Sequence, residues 1–584
     1  MKINKNVQIL SIEGKDLLTK KYKVNKKSIY IASLDDSIEV DKLKKLNKKI
    51  IKYNKKKKRF YSNDIITVTF KYSAKKTDKD YSDEEYERIE NLKLAYDIIK
   101  TENNDNKDNL KNIKETLKIA ERNINQREIR EQLYQYGFNI NINGKLKHFV
   151  RYKRSSGSAR VGKCLFINED YYKKMIDWSF ARIEHKKDTE MDCSSMEAYI
   201  SLSASTCIDR FKLKPENILL IDDIKSTFTD TVMATKLINE EKDENGNIIE
   251  GDLYTDVETT QITNKIVDGE SLLDKSIFEE CGYSDKAILQ IRNRFFKGIG
   301  VNTDIQQFFK DNNITRIDQL KGETIAIDIS QIKLITTPSS VKYLKFGTLK
   351  KWLKQIVEDW GICKYEKPQH HFNGMVQTHY QLINTLGMDK HETELFLEDT
   401  IRYIDYLKND TTVFKYHLGL LSEEQEEIKD KENINSNAEF ILEMLKRNDD
   451  FIHTKMCSKF RREIINNYIK NVRRGHVLVN GNYSIVISNP YEFLLASIGK
   501  WDGKNSILKP FECVCSKFNE NKEILGVRSP QPTMSNMCIF TNKKSDVLDK
   551  YFNTSSQEVI FISGIDNNVM ELLSSCDFDK INVA

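Results

Sequence analysis

Glu558-Val-Ile-Phe-Ile-Ser-Gly-Ile-Asp566, Asn567-Asn-Val-Met-Glu-Leu-Leu573 and Ser574-Ser-Cys-Asp-Phe-Asp-Lys580 read in turn as a strand, a short helix and a loop. Carboxylates at the alternate positions Asp577 and Asp579 of a tight loop can converge on one small hard cation. Mg²⁺ is held in this way, by a few carboxylates together with substrate phosphates. The next alternate position is Ile581 rather than a third carboxylate, and Lys580 sets a positive charge beside the pair. The spacing alone also suits a solvated acidic turn, so the rest of the chain has to decide.

At 584 residues the chain has room for several domains. Hydrophobic residues make up 39% and aromatic residues 10%, enough to fill large cores and to exclude wholesale disorder. There are only seven prolines, and no Pro/Gly/Ser-rich linker divides the chain. The net charge of +6 is the small difference between 93 basic and 87 acidic residues, so local basic runs say more than the total. Cys513 and Cys515 form a C-x-C pair, but the ten cysteines contain no paired C-x-x-C knuckles, and spacing gives no zinc site. The N-terminus has no apolar signal core and no apolar run is long enough to span a membrane, so a cytoplasmic setting with free thiols is expected.

Along the chain, Ile65–Tyr72 is rich in β-branched and aromatic residues and predicts a strand. Before it, Lys55-Lys-Lys-Lys-Arg59 suits either a solvated hairpin tip or a phosphate-contacting patch. Residues 83–135 predict a charged helical hairpin. Leu349–Trp360, Thr378–Leu386, Thr393–Leu407, Asn437–Lys446 and Ser458–Arg473 each carry a helical apolar period. His476–Ile487 predicts a hairpin turning at Asn480-Gly481.

Four constellations stand between these elements. Arg151-Tyr-Lys-Arg154-Ser155-Ser156-Gly-Ser-Ala-Arg160-Val-Gly-Lys163 sets cations, hydroxyls and glycines ahead of a strand, a composition suited to phosphates. Val267-Asp-Gly-Glu-Ser271 leads into Gln290-Ile-Arg292-Asn-Arg-Phe-Phe-Lys297-Gly298-Ile-Gly300, whose glycines would let Lys297 project from a tight turn. Thr337-Pro-Ser-Ser-Val-Lys342-Tyr-Leu-Lys345-Phe346 is a hydroxyl-and-lysine turn, and Gly526-Val-Arg528-Ser-Pro-Gln-Pro532 precedes the closing strand. Each alone is also an ordinary turn.

Taken in order, Ser-x-Ser-x-x-Arg, Asp-Gly, Gln-Ile-Arg with Lys-Gly, Pro-Ser-x-x-Lys-Tyr, Arg-Ser-Pro and Asp-Phe-Asp resemble the two-barrel RNA polymerase superfamily over roughly residues 148 to 579. That superfamily includes the RNA-dependent RNA polymerases of eukaryotic RNA silencing and the single-chain phage polymerases of the YonO type. Arg-Ser-Ser-Gly-Ser, Arg-Ser-Pro-Gln-Pro and Cys-Asp-Phe-Asp look closer to the phage and mobile-element branch. The resemblance implies an α+β multidomain fold with two double-psi β-barrels facing a catalytic cleft. The expected division is a variable region at 1–147 with the charged hairpin, a basic loop and first complete barrel at 148–350, a helical domain at 351–475, and an incomplete second barrel at 476–584. Lys297 and Lys342 would contact the incoming nucleotide and the RNA 3′ end, and Asp577 and Asp579 would hold Mg²⁺. Arg154, Ser155, Ser156, Arg160, Lys163, Gln290, Arg292 and Arg528 would face nucleic acid or nucleotide. The implied partners are a nucleic-acid template and nucleoside triphosphates.

The family pattern has a third aspartate and continues well past it. Here the third position is Ile581, so a truncated second barrel is expected, from a fragment or from the first part of a split polymerase that is inactive alone. A second polypeptide would then supply the remainder. The alternative reading is a noncatalytic nucleic-acid-binding relative, and a third is an interaction protein whose motifs match by accident.

Overall fold

In the computed structural model the described residues are 5–18, 23–24, 32–47, 49–56, 58–70, 91–95, 107–155, 158, 161–184, 191–243, 246, 248–367, 374–418, 437–531, 533, 536–574, 576 and 580–583. The chain is mixed α and β and divides into two compact units. The first comprises Met1–Pro215, Gln290–Gly298 and Val341–Lys364, and the second Glu216–Leu289, Ile299–Ser340 and Tyr365–Ala584. This division is interleaved, unlike the four successive blocks expected.

The first unit is built on an eight-stranded sheet. Its strands are β1 (Val7–Glu13), β2 (Lys23–Val24), β3 (Ala32–Leu34), β4 (Ile51–Asn54), β5 (Arg59–Thr69), β6 (Phe138–Ile142), β7 (Lys145–Lys153) and β8 (Lys163–Asn168). The order is β2-β6-β7-β8-β5-β1-β3, with β4 on β5. The boundary expected after residue 147 falls inside β7, which pairs with both β6 and β8 and leaves no break there. Strand β5 lies at the centre, parallel to β1 and antiparallel to β8. Successive side chains leave a strand on opposite faces. Ile66 and Val68 accordingly join Leu10, Phe149 and Phe166 in one core, while Ile65 joins Ile9, Val40 and Ile167 in another. Burial on both faces is why Ile65–Phe70 is almost continuously apolar. Lys55 and Lys56 form the exposed tip of the β4–β5 hairpin, the solvated alternative for that basic run.

Two local expectations change. Within 83–135, residues 91–95 are helical and a single 30-residue helix spans Lys107–Tyr136, the rest of the expected hairpin lying outside the described residues. The helix expected at Leu349–Trp360 ends at Leu353, and Trp360 belongs to a strand, Asp359–Tyr365. That strand pairs antiparallel with Asp209–Lys212. The approach needs Gly361, where a Cβ would meet the Cys207 sulfur at 2.4 Å.

In the second unit, Lys225–Lys242 and Ile248–Lys265 pair as a long antiparallel ribbon that the sequence reading did not foresee. Ile218–Leu220, Leu334–Thr336, Glu270–Asp274 and the part of the next strand from Ile299 pair in series. Among the described residues these strands belong to an open sheet rather than to the closed barrel expected within 148–350.

The second barrel, expected to be incomplete, is closed. Its six strands run in the order Asn482–Ser488, Val559–Ile562, Glu512–Val514, Met537–Asn542, Glu523–Val527 and Lys580–Val583. Lys580–Val583 pairs with both Asn482–Ser488 and Glu523–Val527, so the residues after Asp579 supply the sixth strand. Val486, Cys513, Ile524, Phe540, Ile560 and Ile562 pack together. Gly526 admits the Phe540 ring, which a Cβ would meet at 2.6 Å. The hairpin expected at Asn480-Gly481 is absent, because Leu478–Val479 pairs with Val376–Gln377 and Asn482–Ser488 enters the barrel. The predicted helical block appears as Tyr380–Thr385, Lys390–Asn409, Asn437–Arg447 and Lys455–Val472. Tyr403, Leu407, Leu445 and Tyr468 form a core there.

Candidate nucleic-acid interface

The strongest gathering of the sequence motifs lies in the first unit. The chain turns at Arg294-Phe295, and Phe295 takes the left-handed conformation with φ 55°. That region is rare for a bulky residue and persists only where its surroundings over-determine it. Here the Asn293 carboxamide oxygen accepts from the Arg294 and Val357 amides at 2.7 and 3.1 Å. The Trp352 indole donates to the Arg294 carbonyl at 2.9 Å, and the Lys342 amide to the Phe295 carbonyl at 2.8 Å. The turn thus sits before Lys297 rather than at Gly298 and Gly300, as the glycine pattern had suggested. Phe296 and Val341 form an antiparallel bridge, and both are buried. Alternation along the strand Phe296–Thr303 turns Lys297 away from Phe296, while Lys342 opens the short 3-10 helix Lys342–Lys345 next to that bridge. Lys297 is exposed and Lys342 half-buried.

The helix Cys193–Ile200, started by Asp192 accepting from the Ser194 and Ser195 amides, connects this turn with the loop after β7. Glu197 accepts from Arg151 at 2.5 Å and lies 3.9 Å from Arg154. Two residues on, the Tyr199 hydroxyl accepts from Lys345 at 2.7 Å. The Tyr199 ring packs 6.4 Å from Phe295 and 6.2 Å from Phe346. Glu197 and Tyr199 were not singled out in the sequence, where neither carries a motif. Phe295 is buried, so the half-buried Tyr199 and Phe346 are the rings beside these cations that solvent reaches, a mixture that a single-stranded nucleic-acid surface uses for backbone attraction and base stacking.

The other expected contacts differ in placement. Ser155 and Lys163 are exposed, and the Ser155 hydroxyl donates to that of Ser158 at 3.0 Å. Ser156 and Arg160 lie outside the described residues. Gln290 is half-buried, whereas Arg292 is 7% exposed and donates to the Ile291 carbonyl at 2.8 Å. Burial lowers the Arg292 pKa and pushes that of Arg294 down to about 10. Both side chains are built into the first unit rather than offered to a ligand.

In the second unit, Arg528 donates to the Ser574 carbonyl at 2.7 Å, which ties it to the segment just before Asp577. Asp577 and Asp579 lie outside the described residues, and among the described residues no group of three metal-ligating side chains occurs. The hydroxyls of the second and third motifs meet where Ser271 donates to Ser340 at 3.5 Å; Ser271 also lies 2.8 Å from the Thr336 hydroxyl, and Ser339 donates to Asp223 at 2.7 Å.

Glu270 is buried, with one oxygen accepting from the Ser488 amide at 3.2 Å and the other without a partner. Burial first, then Glu492, raise its pKa well above the carboxylate range. The unfolded side chain ionises near 4.5, so the stability carried by protonated Glu270 is full below that pH and is lost as pH rises toward the folded value. Glu270→Gln keeps the acceptor for Ser488 and does not titrate. Its thermal midpoint is expected to pull progressively above that of the parent between pH 5 and 8. Parallel pH profiles would show that Glu270 does not ionise on unfolding.

No family model matches the chain, and no curated protein does. Among solved structures it is similar to the RNA dependent RNA polymerase QDE-1 from Thielavia terrestris, at 14% identity and a TM-score of 0.47. The match covers 75% of this chain and 44% of that one, so the chain spans less than half of the length of its structural neighbour. No helix among the described residues is long and apolar enough to cross a membrane.

Proposed function

We propose that this chain binds single-stranded nucleic acid along the cationic surface of its first unit, as a relative of the two-barrel RNA polymerases of the YonO type. The observation that carries the reading is the convergence of three separate motif segments: Glu197 meets Arg151 and Arg154, Tyr199 meets Lys345, Phe295 and Phe346, and the Phe296–Val341 bridge sets the Lys297 and Lys342 segments side by side. In this reading Lys297 and Lys342 meet phosphates of nucleotide and strand. Asp577 and Asp579 would hold Mg²⁺. Bound Mg²⁺ would activate a 3′-hydroxyl and stabilise the leaving pyrophosphate.

A second reading, a noncatalytic binder, is favoured by Ile581, which stands in strand register opposite Ser484 where a third carboxylate would complete the series. Two carboxylates hold Mg²⁺ weakly, since the ion demands near-octahedral oxygen geometry and dehydrates reluctantly. The expected result is that the chain binds RNA but incorporates no labelled nucleotide on RNA or DNA templates with Mg²⁺. Ile581→Asp is expected to confer Mg²⁺-dependent incorporation that Asp577→Ala removes. No gain with Ile581→Asp, with binding intact, would favour the noncatalytic reading. Incorporation by the parent chain that survives Asp577→Ala would place the active site elsewhere.

A further inference from the structure

Two cysteines of the first unit meet where Asp209–Lys212 pairs with Asp359–Tyr365. Asp209 stands in register with Ile362, yet the Ile208 amide also donates to the Ile362 carbonyl at 2.8 Å. Two residues therefore oppose one, the arrangement of a β-bulge. One step beyond the bulge, Cys207 comes opposite Cys363. The faces agree: Gly361 and Cys363 leave their strand on the same side, and the Cys207 sulfur lies over Gly361, in the space a Cβ would take. The two thiols share a hydrogen bond. Residues directly opposite in an antiparallel pair have Cβ atoms about 4.5–5.5 Å apart, and a disulfide needs about 3.5–4.5 Å. A small shift is enough to close a bridge.

The surroundings divide the pair into two roles. The buried Arg292 guanidinium donates to the Ile291 and Gly298 carbonyls at 2.8 and 3.5 Å, and its charge acts on both sulfurs. Arg210, held by Asp36 at 3.2 Å and Asp41 at 3.1 Å, acts on both as well. The hydrogen bond from Cys207, with Arg292, Arg210 and Lys364 behind it, outweighs burial and holds the Cys363 pKa below the ordinary thiol value. The same hydrogen bond, joined by burial, pushes the Cys207 thiol up. The thiolate is the form that attacks an oxidant, so Cys363 is primed to attack while Cys207 keeps its proton. At 6% and 9% exposure neither thiol is sealed off, which selects a small oxidant.

We propose that Cys363 and Cys207 form a peroxide-sensitive thiol pair, with Cys363 attacking and Cys207 resolving. The Cys363 thiolate attacks one oxygen of a hydroperoxide. A sulfur–oxygen bond forms, the oxygen–oxygen bond breaks, and the other oxygen leaves with a proton as water or an alcohol. Cys207 then gives up its proton and attacks the Cys363 sulfenic acid, forming the disulfide and releasing water. Two thiols lose two electrons and one peroxide gains them. The bridge ties the segment that follows the helix Cys193–Ile200 to the strand Asp359–Tyr365. This stands on the strand register, not on the polymerase reading.

The test treats the reduced full chain with graded hydrogen peroxide and maps its cysteines by mass spectrometry without reduction. Cys193 is exposed and serves as the reference thiol. A linked Cys207–Cys363 peptide is expected before half of Cys193 is oxidised, and dithiothreitol is expected to remove it. In Cys207→Ser, Cys363 is expected to stop as a sulfenic acid, trapped by unfolding the protein in dimedone. In Cys363→Ser, oxidation of Cys207 is expected to slow at least tenfold. Circular dichroism checks that both variants fold, and the linked peptide of the parent decides if they do not. Oxidation of Cys193 with the pair still reduced, or a linked peptide that forms only in denaturant, would overturn the proposal. Undiminished oxidation of Cys207 in folded Cys363→Ser would overturn it too.

Discussion

Lys297→Ala combined with Lys342→Ala is expected to weaken single-stranded RNA binding about 100-fold at moderate salt and to flatten its salt dependence. The two lysines enter from different stretches of sequence, and the Phe296–Val341 bridge and the Lys342-to-Phe295 hydrogen bond bring those stretches side by side. A hydrogen bond to a charged group contributes about 1.5–3 kcal/mol, and two such losses reach the 100-fold range. Each phosphate contact on a single strand adds about 0.7 to the slope of log affinity against log salt, so the double variant should lose about 1.4. Phosphate contacts position a strand without reading it. The loss should therefore be equal for oligonucleotides of unrelated sequence, as fluorescence anisotropy at several salt concentrations will measure. Equal binding by parent and double variant at low salt would show that this surface is not the interface. A loss confined to one sequence would point to base contacts instead.

What was legible in the chain follows from the range of the forces involved. Strand β5 could be read because its burial on both faces writes a run of β-branched and aromatic residues, a purely local signal. The helices Lys390–Asn409, Asn437–Arg447 and Lys455–Val472 could be read because each sets an apolar stripe against a shared core. The segment Leu349–Trp360 misled, because its apolar spacing fits a helix while Gly361 and the pairing with Asp209–Lys212 convert its end into a strand. The turn that positions Lys297 was placed at the glycines. Its left-handed residue is in fact Phe295, held there by Asn293, Lys342 and Trp352 from outside the turn. Glu197 and Tyr199 carry no pattern of their own, since their value lies in which cations the fold brings to them. The closed second barrel was missed for a related reason: four residues, Lys580–Val583, suffice to close it, too short a run to read as a strand.

Lys153→Ala is expected to destabilise the protein by about 3–5 kcal/mol, the cost of leaving a buried charge unpaired. Lys153 is only 3% exposed and Glu39 only 4%. The ammonium is paired with the Glu39 carboxylate and donates to the Ile200 carbonyl at 3.0 Å. Ser203 donates to the same Glu39 oxygen at 3.1 Å. Burial pulls the Lys153 pKa down, and Glu39 opposes that shift without cancelling it. That balance makes the double variant informative. Lys153→Met with Glu39→Leu removes both charges and fills the space with apolar groups, and replacing a buried pair in this way is often neutral or stabilising by about 1–4 kcal/mol. Urea denaturation of the parent, both single variants and the double variant closes the cycle. The expected result is two strongly destabilised single variants and a double variant close to the parent. A double variant as unstable as Lys153→Ala would mean that the pair stabilises the fold in its own right. Recovery would mean that the two charges together make no net contribution to the stability of the fold.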